Sequence, residues 1–176
     1  MAIILPEVHS LEQHIQQLQS NPESYRPRHC PDCGNTSIWC HGHYHRHPDR
    51  HNKARDSLNP IPVPRFICPR CRISCSVLPE CIPPGRWYMW SIQQAMLVQV
   101  LSGSLDVDQS FPHVRSAWRW WARLRQRFKL HQFKLASLLP VLGQYDSVTD
   151  LWHDVLSRWR LSSAMLFVQQ SGEVIP

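Results

Sequence analysis

Hydrophobic and polar residues alternate, cluster and break along this chain in a way that lays out its elements. Leu5, Val8, Leu11, Ile15 and Leu18 recur at three- and four-residue spacing. That period predicts a short amphipathic helix over 5–19, with Pro6 in its first turn and Asn21-Pro22 ending it. The period then changes. Ser37–Arg46 reads as a strand, His47–Asn59 as a polar turn, and Ile61–Ile67 as a returning strand. Pro62 and Pro64 cannot donate to a ladder, so this second strand is expected at a sheet edge. Ile73–Leu78 reads as a third strand. Pro79, Pro83 and Pro84 break the chain. Trp87–Leu101 is predicted as a helix stopped by Ser102-Gly103. A connection over 104–111 follows, then a helix capped by Ser110, with Pro112 in its first turn, running to about Phe128. Val114, Ala117, Trp118, Trp121, Leu124 and Phe128 form its expected buried stripe. After Pro140 and Gly143, Ser147–Trp159 is a last helix, with Asp150 and Asp154 early and Arg158 and Arg160 late, as the helix dipole favours. Residues 164–176 carry no readable pattern. The fold class is α+β, divided as 1–25 (N-terminal helix), 26–85 (three short strands), 86–134 (a helix-turn-helix) and 135–176 (a helical tail).

Chemistry enters with the cysteines. The strands are bracketed by Cys30-Pro31-Asp32-Cys33-Gly34 and Cys68-Pro69-Arg70-Cys71, with 34 residues between the pairs. Two thiolates three positions apart on a tight turn can face one ion, and two such turns complete a tetrahedron. Cys30, Cys33, Cys68 and Cys71 are therefore the expected ligands of one structural Zn²⁺, and 26–85 the expected zinc ribbon. A closed four-thiolate site leaves no open coordination position, so the chemistry expected is binding rather than catalysis. The intervening loop exceeds the usual length. Doubling a loop adds only about 0.6 kcal/mol of closure cost, against on the order of 10 kcal/mol from structural zinc. The other three of the seven cysteines, Cys40, Cys75 and Cys81, are expected as small buried hydrophobes. Cys75, four residues past Cys71, is the alternative ligand.

Charge sharpens the picture. Of 176 residues, 19 are Lys or Arg and 13 are Asp or Glu, a formal net charge of +6. Four zinc-bound thiolates bring that to about +4. Residues 1–25 carry only acids, Glu7, Glu12 and Glu23, whereas 113–134 carry seven bases and no acid. Arg115, Arg119, Arg123 and Arg127 recur every four residues and line one helical ridge. Without a Glu partner they repel by a few tenths of a kcal/mol per neighbouring pair, and phosphates relieve that repulsion. Arginine also reads guanine edges in the major groove. Double-stranded DNA is the expected partner, with Arg115, Arg119, Arg123, Arg127 and Lys129 as contacts, joined by Arg46 and Arg65 on the ribbon strands. The bland alternative is a solvated helix face.

His29, His41, His43, His45, His47 and His51 form a second cluster. Alternate residues of a strand share a face, so a second metal site, or a His-dependent metal nuclease, is an alternative. His41 is also a candidate outer neighbour of the zinc. Only Asp49 and Asp56 lie near to orient such a site. Later acids are Asp106, Asp108, Asp146, Asp150, Asp154 and Glu173, and three of these read as one helical face. The His-x-Glu and Pro-Cys-x-x-Cys deaminase pattern, a Gly-rich phosphate loop and a Gly-x-Ser-x-Gly elbow do not occur. A non-catalytic protein without a small-molecule substrate is expected. No secretory h-region opens the chain, since Pro6 and Glu7 follow Met1–Leu5. No apolar run reaches the roughly 18 residues a membrane span needs. A reducing cytoplasm, in association with the nucleoid, is the expected location.

Cys30-Pro31-x-Cys33-Gly34, Trp39-x-His41-Gly42-x-Tyr44-x-Arg46, Ile61-Pro62-Val63-x-Arg65-x-x-Cys68-x-x-Cys71 and Ser76-Val77-Leu78-Pro79 together resemble the zinc-ribbon segment that precedes helix-turn-helix units in bacterial insertion-sequence proteins. The likeness covers roughly residues 25–130 and is similar to short transposase-associated proteins. It implies a mobile-element setting and places Ser110–Arg127 where a DNA-reading helix stands. It also implies a possible partner, a transposase or recombinase subunit, for which this chain would be an adaptor. The catalytic acid triad of transposases has no counterpart here.

Overall fold

A computed structural model describes residues 1–48, 58–85, 88–106, 114–137 and 140–170. The chain divides into two units, Met1–Met89 and Trp90–Pro176.

The first unit is a four-stranded sheet. β1 (Ala2–Leu5), β2 (Trp39–Arg46), β3 (Ile61–Ile67) and β4 (Ser74–Pro79) lie in the order β1-β4-β3-β2. β2, β3 and β4 stand where the sequence pattern puts strands. β3 pairs antiparallel with both neighbours, and β1 adds parallel to β4. Two expectations fail here. The segment from Leu5 is not helical. Leu5 is the last residue of β1, and the helix α1 begins only at Leu11 and runs to Ser20. Ser10 caps it by accepting from the Gln13 N–H at 3.1 Å, as an N-cap serine does. Pro6 therefore lies before the helix rather than in its first turn.

Nor is β3 an edge strand. Its prolines are tolerated because the ladder to β4 uses only Arg65–Ile67, while Pro62 and Pro64 pair with His45 and His43 of β2. Beside Pro62 the place of a further strand is taken by α1. The imidazole Nε2 of His14 donates to the Pro62 carbonyl at 2.8 Å, and its Nδ1 accepts from the Tyr25 hydroxyl at 2.6 Å. His14 and Tyr25 are sealed from solvent. With both ring nitrogens so used, His14 is neutral, and burial pulls its pKa below the ordinary range.

The sheet separates two apolar clusters. Ile61, Val63, Leu78 and Ile82 form one, flanked by Leu11, Ile15 and Cys81. Phe66, Val77, Cys75, Tyr25 and Ile38 form the other, together with Cys30 and Cys68.

The second unit is helical. α2 (Trp90–Ser102), α3 (Val114–Gln126), α4 (Phe128–Leu135), α5 (Val148–Arg158) and α6 (Leu161–Gln170) make it up. α2 packs on α3, α5 and α6, and α4 packs on α3 and α6. Gly103, at φ +69°, ends α2. The Ser104 N–H returns to the Gln99 carbonyl at 3.0 Å, closing a Schellman motif that requires the left-handed residue. Ser147 caps α5 by accepting from the N–H groups of Thr149 and Asp150. The helix predicted to reach Phe128 is divided. Arg127 interrupts it at φ −103°, ψ 16°, and Phe128 opens α4. Its predicted start at Ser110 and Pro112 lies outside the described residues. The tail that showed no pattern contains α6. Trp152, Leu135, Leu142, Leu151 and Leu161 are fully buried.

Candidate metal centre and basic helix

Each cysteine pair sits on a turn of the same construction. In the first, the Cys30 N–H donates to the Asn35 carbonyl at 2.7 Å and the Gly34 N–H to the Cys30 carbonyl at 3.0 Å. In the second, the Cys68 N–H donates to Ile73 at 3.0 Å and the Arg72 N–H to Cys68 at 2.9 Å. The fifth position of each turn is left-handed: Gly34 at φ +71° and Arg72 at φ +63°. Glycine adopts this conformation without strain, whereas arginine does not. The second turn is also the hairpin that joins β3 to β4, so the sheet itself delivers Cys68 and Cys71.

The four sulfurs meet. Cys30 Sγ and Cys71 Sγ are 3.6 Å apart, as are Cys33 Sγ and Cys68 Sγ. All four lie within 4.8 Å of one another. A tetrahedron with metal–sulfur bonds of about 2.3 Å has sulfur–sulfur edges of about 3.8 Å. The quartet therefore fits one metal ion, and it is the one group of three or more potential ligands among the described residues. The surroundings pull the thiols in opposite directions. Burial alone would raise the Cys68 thiol, but the Cys71 N–H, the Asn35 amide, the Arg70 N–H and Cys33 bring it down to about 6. The Ile73 N–H pulls Cys71 down, yet burial and the sulfurs of Cys30, Cys68 and Cys33 push it up to about 12. The side chain that reaches a sulfur is that of Asn35, whose Nδ2 donates to Cys68 Sγ at 3.6 Å. His41, the residue expected to serve as outer neighbour, is exposed on β2.

Arg26 fastens the first turn to the sheet. It donates through Nε and Nη2 to the Glu23 carboxylate at 2.6 and 3.0 Å and through Nη1 to the Ile38 carbonyl at 2.5 Å. Its guanidinium also lies 5.7 Å from the centre of the Phe66 ring. The Pro-rich approach to the first knuckle gave no sign of this.

The remaining cysteines divide. Cys75 is buried beside the quartet without joining it. Cys81 is half-buried, and burial pushes its thiol up to about 12. Cys40 is exposed, contrary to the expectation of a buried hydrophobe, because β2 flanks the sheet. His43 and His45 share a face of β2 and meet edge to face, ring centres 5.2 Å apart. His51 lies outside the described residues.

Arg115, Arg119 and Arg123 are exposed on α3, opposite buried Ala117, Trp121 and Leu124. Arg125, absent from the expected set, is exposed on the same helix. Lys129 is exposed on α4, its Nζ 5.6 Å from the Phe128 ring centre. Arg127 is half-buried at the break between helices, which ends the four-residue ridge at Arg123. Arg46 is half-buried and donates to the Pro83 carbonyl at 2.6 Å, and burial draws its pKa down. Arg65, half-buried, donates to the Ser74 hydroxyl at 3.4 Å. Trp118 corrects the predicted stripe. It is 51% exposed and lies at the margin of the arginine face. Phe128 and Val114 are only half-buried.

A family described as a domain of unknown function, DUF6431, matches residues 30–120, just over half of the chain. The chain belongs to the DUF6431 family. The matched segment opens at Cys30 and takes in all four clustered cysteines, the strands β2 to β4, and α3 as far as Trp120. The DUF6431 segment thus holds both the sulfur quartet and the first half of the arginine face. No curated protein and no solved structure matches the chain. No helix of the described residues is long and apolar enough to cross a membrane.

Proposed function

We propose that this DUF6431 protein is a non-catalytic, zinc-stapled binder of double-stranded DNA, and that α2 and α3 act as a helix-turn-helix pair. The observation that carries this reading is the outward face of α3, where Arg115, Arg119, Arg123 and Arg125 project from a helix without a single acid. Rows of exposed guanidinium groups fit phosphates and guanine edges. Zinc is the ion that an all-thiolate tetrahedral donor set selects in a structural role. Bound there, it would clasp the two turns from which β2, β3 and β4 spring. The resemblance to insertion-sequence proteins supports a mobile-element setting, either at element ends or at an operator.

A second reading, an adaptor for a transposase or recombinase subunit, has one observation in its favour: Phe133 of α4 is 77% exposed. The two readings part in a binding experiment. A target duplex is first selected from a random pool. Arg119→Ala and Lys129→Ala are then compared on the selected and a scrambled duplex at two salt concentrations. DNA reading predicts loss of about 1–3 kcal/mol of discrimination in Arg119→Ala. Lys129→Ala should weaken both duplexes evenly. Unchanged affinity in both variants would hand the lead to the adaptor.

A further inference from the structure

Trp118 is out of place for a core residue. α3 has an apolar side, and Ala117, Trp121 and Leu124 occupy it. Trp118 lies outside that side and keeps 51% of its surface exposed. One turn before it on the helix lie half-buried Val114 and exposed Arg115, and one turn after it lie buried Trp121 and exposed Ala122. The small Ala122 side chain leaves that flank of the indole open. Arg119 and Arg125 are exposed on the same helix, and no acid lies on it.

We propose that the outward face of α3 recognises duplex DNA bearing an unpaired nucleotide, with Trp118 as the platform on which the extruded base stacks. This rests on the DNA-binding reading and deepens it. Charge complementarity selects the occupant, because the arginines around the indole call for phosphates on either side of what it touches. In an intact duplex both faces of each base are covered by its stacked neighbours, so an exposed indole gains little there. A base outside the stack offers a free π-face, and stacking on an aromatic ring is tolerant of its identity. Arginine guanidinium planes beside the ring can hold the flanking phosphates.

The test uses the full zinc-loaded chain, a short duplex, and the same duplex with one unpaired thymidine at its centre. The wild type should bind the second between about fivefold and a hundredfold more tightly, the range of one base–aromatic stack. Trp118→Ala should erase that ratio and leave affinity for the intact duplex nearly unchanged. Trp118→Phe should keep most of the ratio. Helical circular dichroism checks that each variant is folded, which an exposed side chain permits. Equal binding of both duplexes by the wild type, or a ratio that survives in Trp118→Ala, overturns the inference and leaves Trp118 to a protein partner. Arg119→Ala separates the two levels. If it weakens both duplexes while the Trp118 variants change nothing, DNA binding stands and the stacking role falls. If the wild type binds neither duplex, both fall together.

Discussion

In Met1–Met89 the flanking strand β2 leaves seven of its eight residues exposed, yet it is held in register with β3. In Trp90–Pro176 the helices close over Trp152, Leu135, Leu142, Leu151 and Leu161, none of which keeps appreciable surface. The sheet unit places a sulfur quartet beside one of its two modest apolar clusters. The helical unit has a conventional apolar interior and, among the described residues, no comparable group of ligands. With a metal on the quartet supplying stability, as we propose, side chains such as His43, His45 and Trp39 would be free to face solvent. Where burial supplies it, an exposed tryptophan such as Trp118 stands out and calls for a functional reason.

The comparison breaks most severely at the sulfurs. Cys30→Ser should lose the zinc and melt the sheet unit, a loss on the order of 10 kcal/mol of metal-linked folding energy. Metal analysis and amide exchange in β2, β3 and β4 would register it. Cys81→Ser should leave the metal content unchanged. Full zinc retention in Cys30→Ser would remove the metal from the account.

The helical unit should instead break through its interior. His131 is fully buried against Trp152, ring centres 5.4 Å apart. Both of its ring nitrogens and the Trp152 Nε1 lack hydrogen-bond partners. Burial first, then the charges of Arg127 and Lys134, lower its pKa to about 4 from an ordinary 6.5. The fold therefore prefers the neutral ring. Above pH 6.5 that preference has no cost. As pH falls from 6.5 towards 4 the unfolded chain takes up a proton that the folded one refuses, and stability drops by up to about 3 kcal/mol. His131→Leu should flatten the loss. Amide exchange in α5 at pH 7 and pH 5 checks it, and an equal acid loss in both proteins would clear His131.

A smaller effect sharpens the likeness between the two knuckles. Arg72 sits at φ +63° where its counterpart is Gly34. Arg72→Gly should relieve left-handed strain and stabilise the sheet unit by about 1 kcal/mol. Denaturant titration of the zinc-loaded protein measures it, and a destabilised variant would show that the Arg72 side chain contributes more than its backbone costs.

The parts of this architecture that were legible in the sequence were those fixed locally. The knuckles follow from Cys-x-x-Cys spacing, three strands from period two, and the end of α2 from Gly103. β1 was not legible, because Ala2–Leu5 is a short apolar run whose parallel partner, β4, lies some 70 residues away. The interior position of β3 was hidden for a similar reason. Prolines forbid a continuous ladder, but they do not forbid a strand whose neighbours use different halves of it. α6 escaped notice because its apolar residues are not confined to one face. Trp118 was misplaced because helical spacing admits it at the edge of the buried arc beside Trp121, and only packing decides which side of that edge it takes. The expected ridge likewise lost Arg127 to the α3–α4 break and gained Arg125 on the exposed side.

The central claim is that the arginine face of α3 meets phosphates. The measurement that tests it most directly is duplex affinity against salt for the wild type and for the combined variant Arg123→Ala and Arg125→Ala. Four to six phosphate contacts predict a log-affinity versus log-salt slope of about −4 to −5 for the wild type. Removing two of them should reduce that slope by about 1.8 units. A wild-type slope near zero, or the same slope in both proteins, would contradict the account.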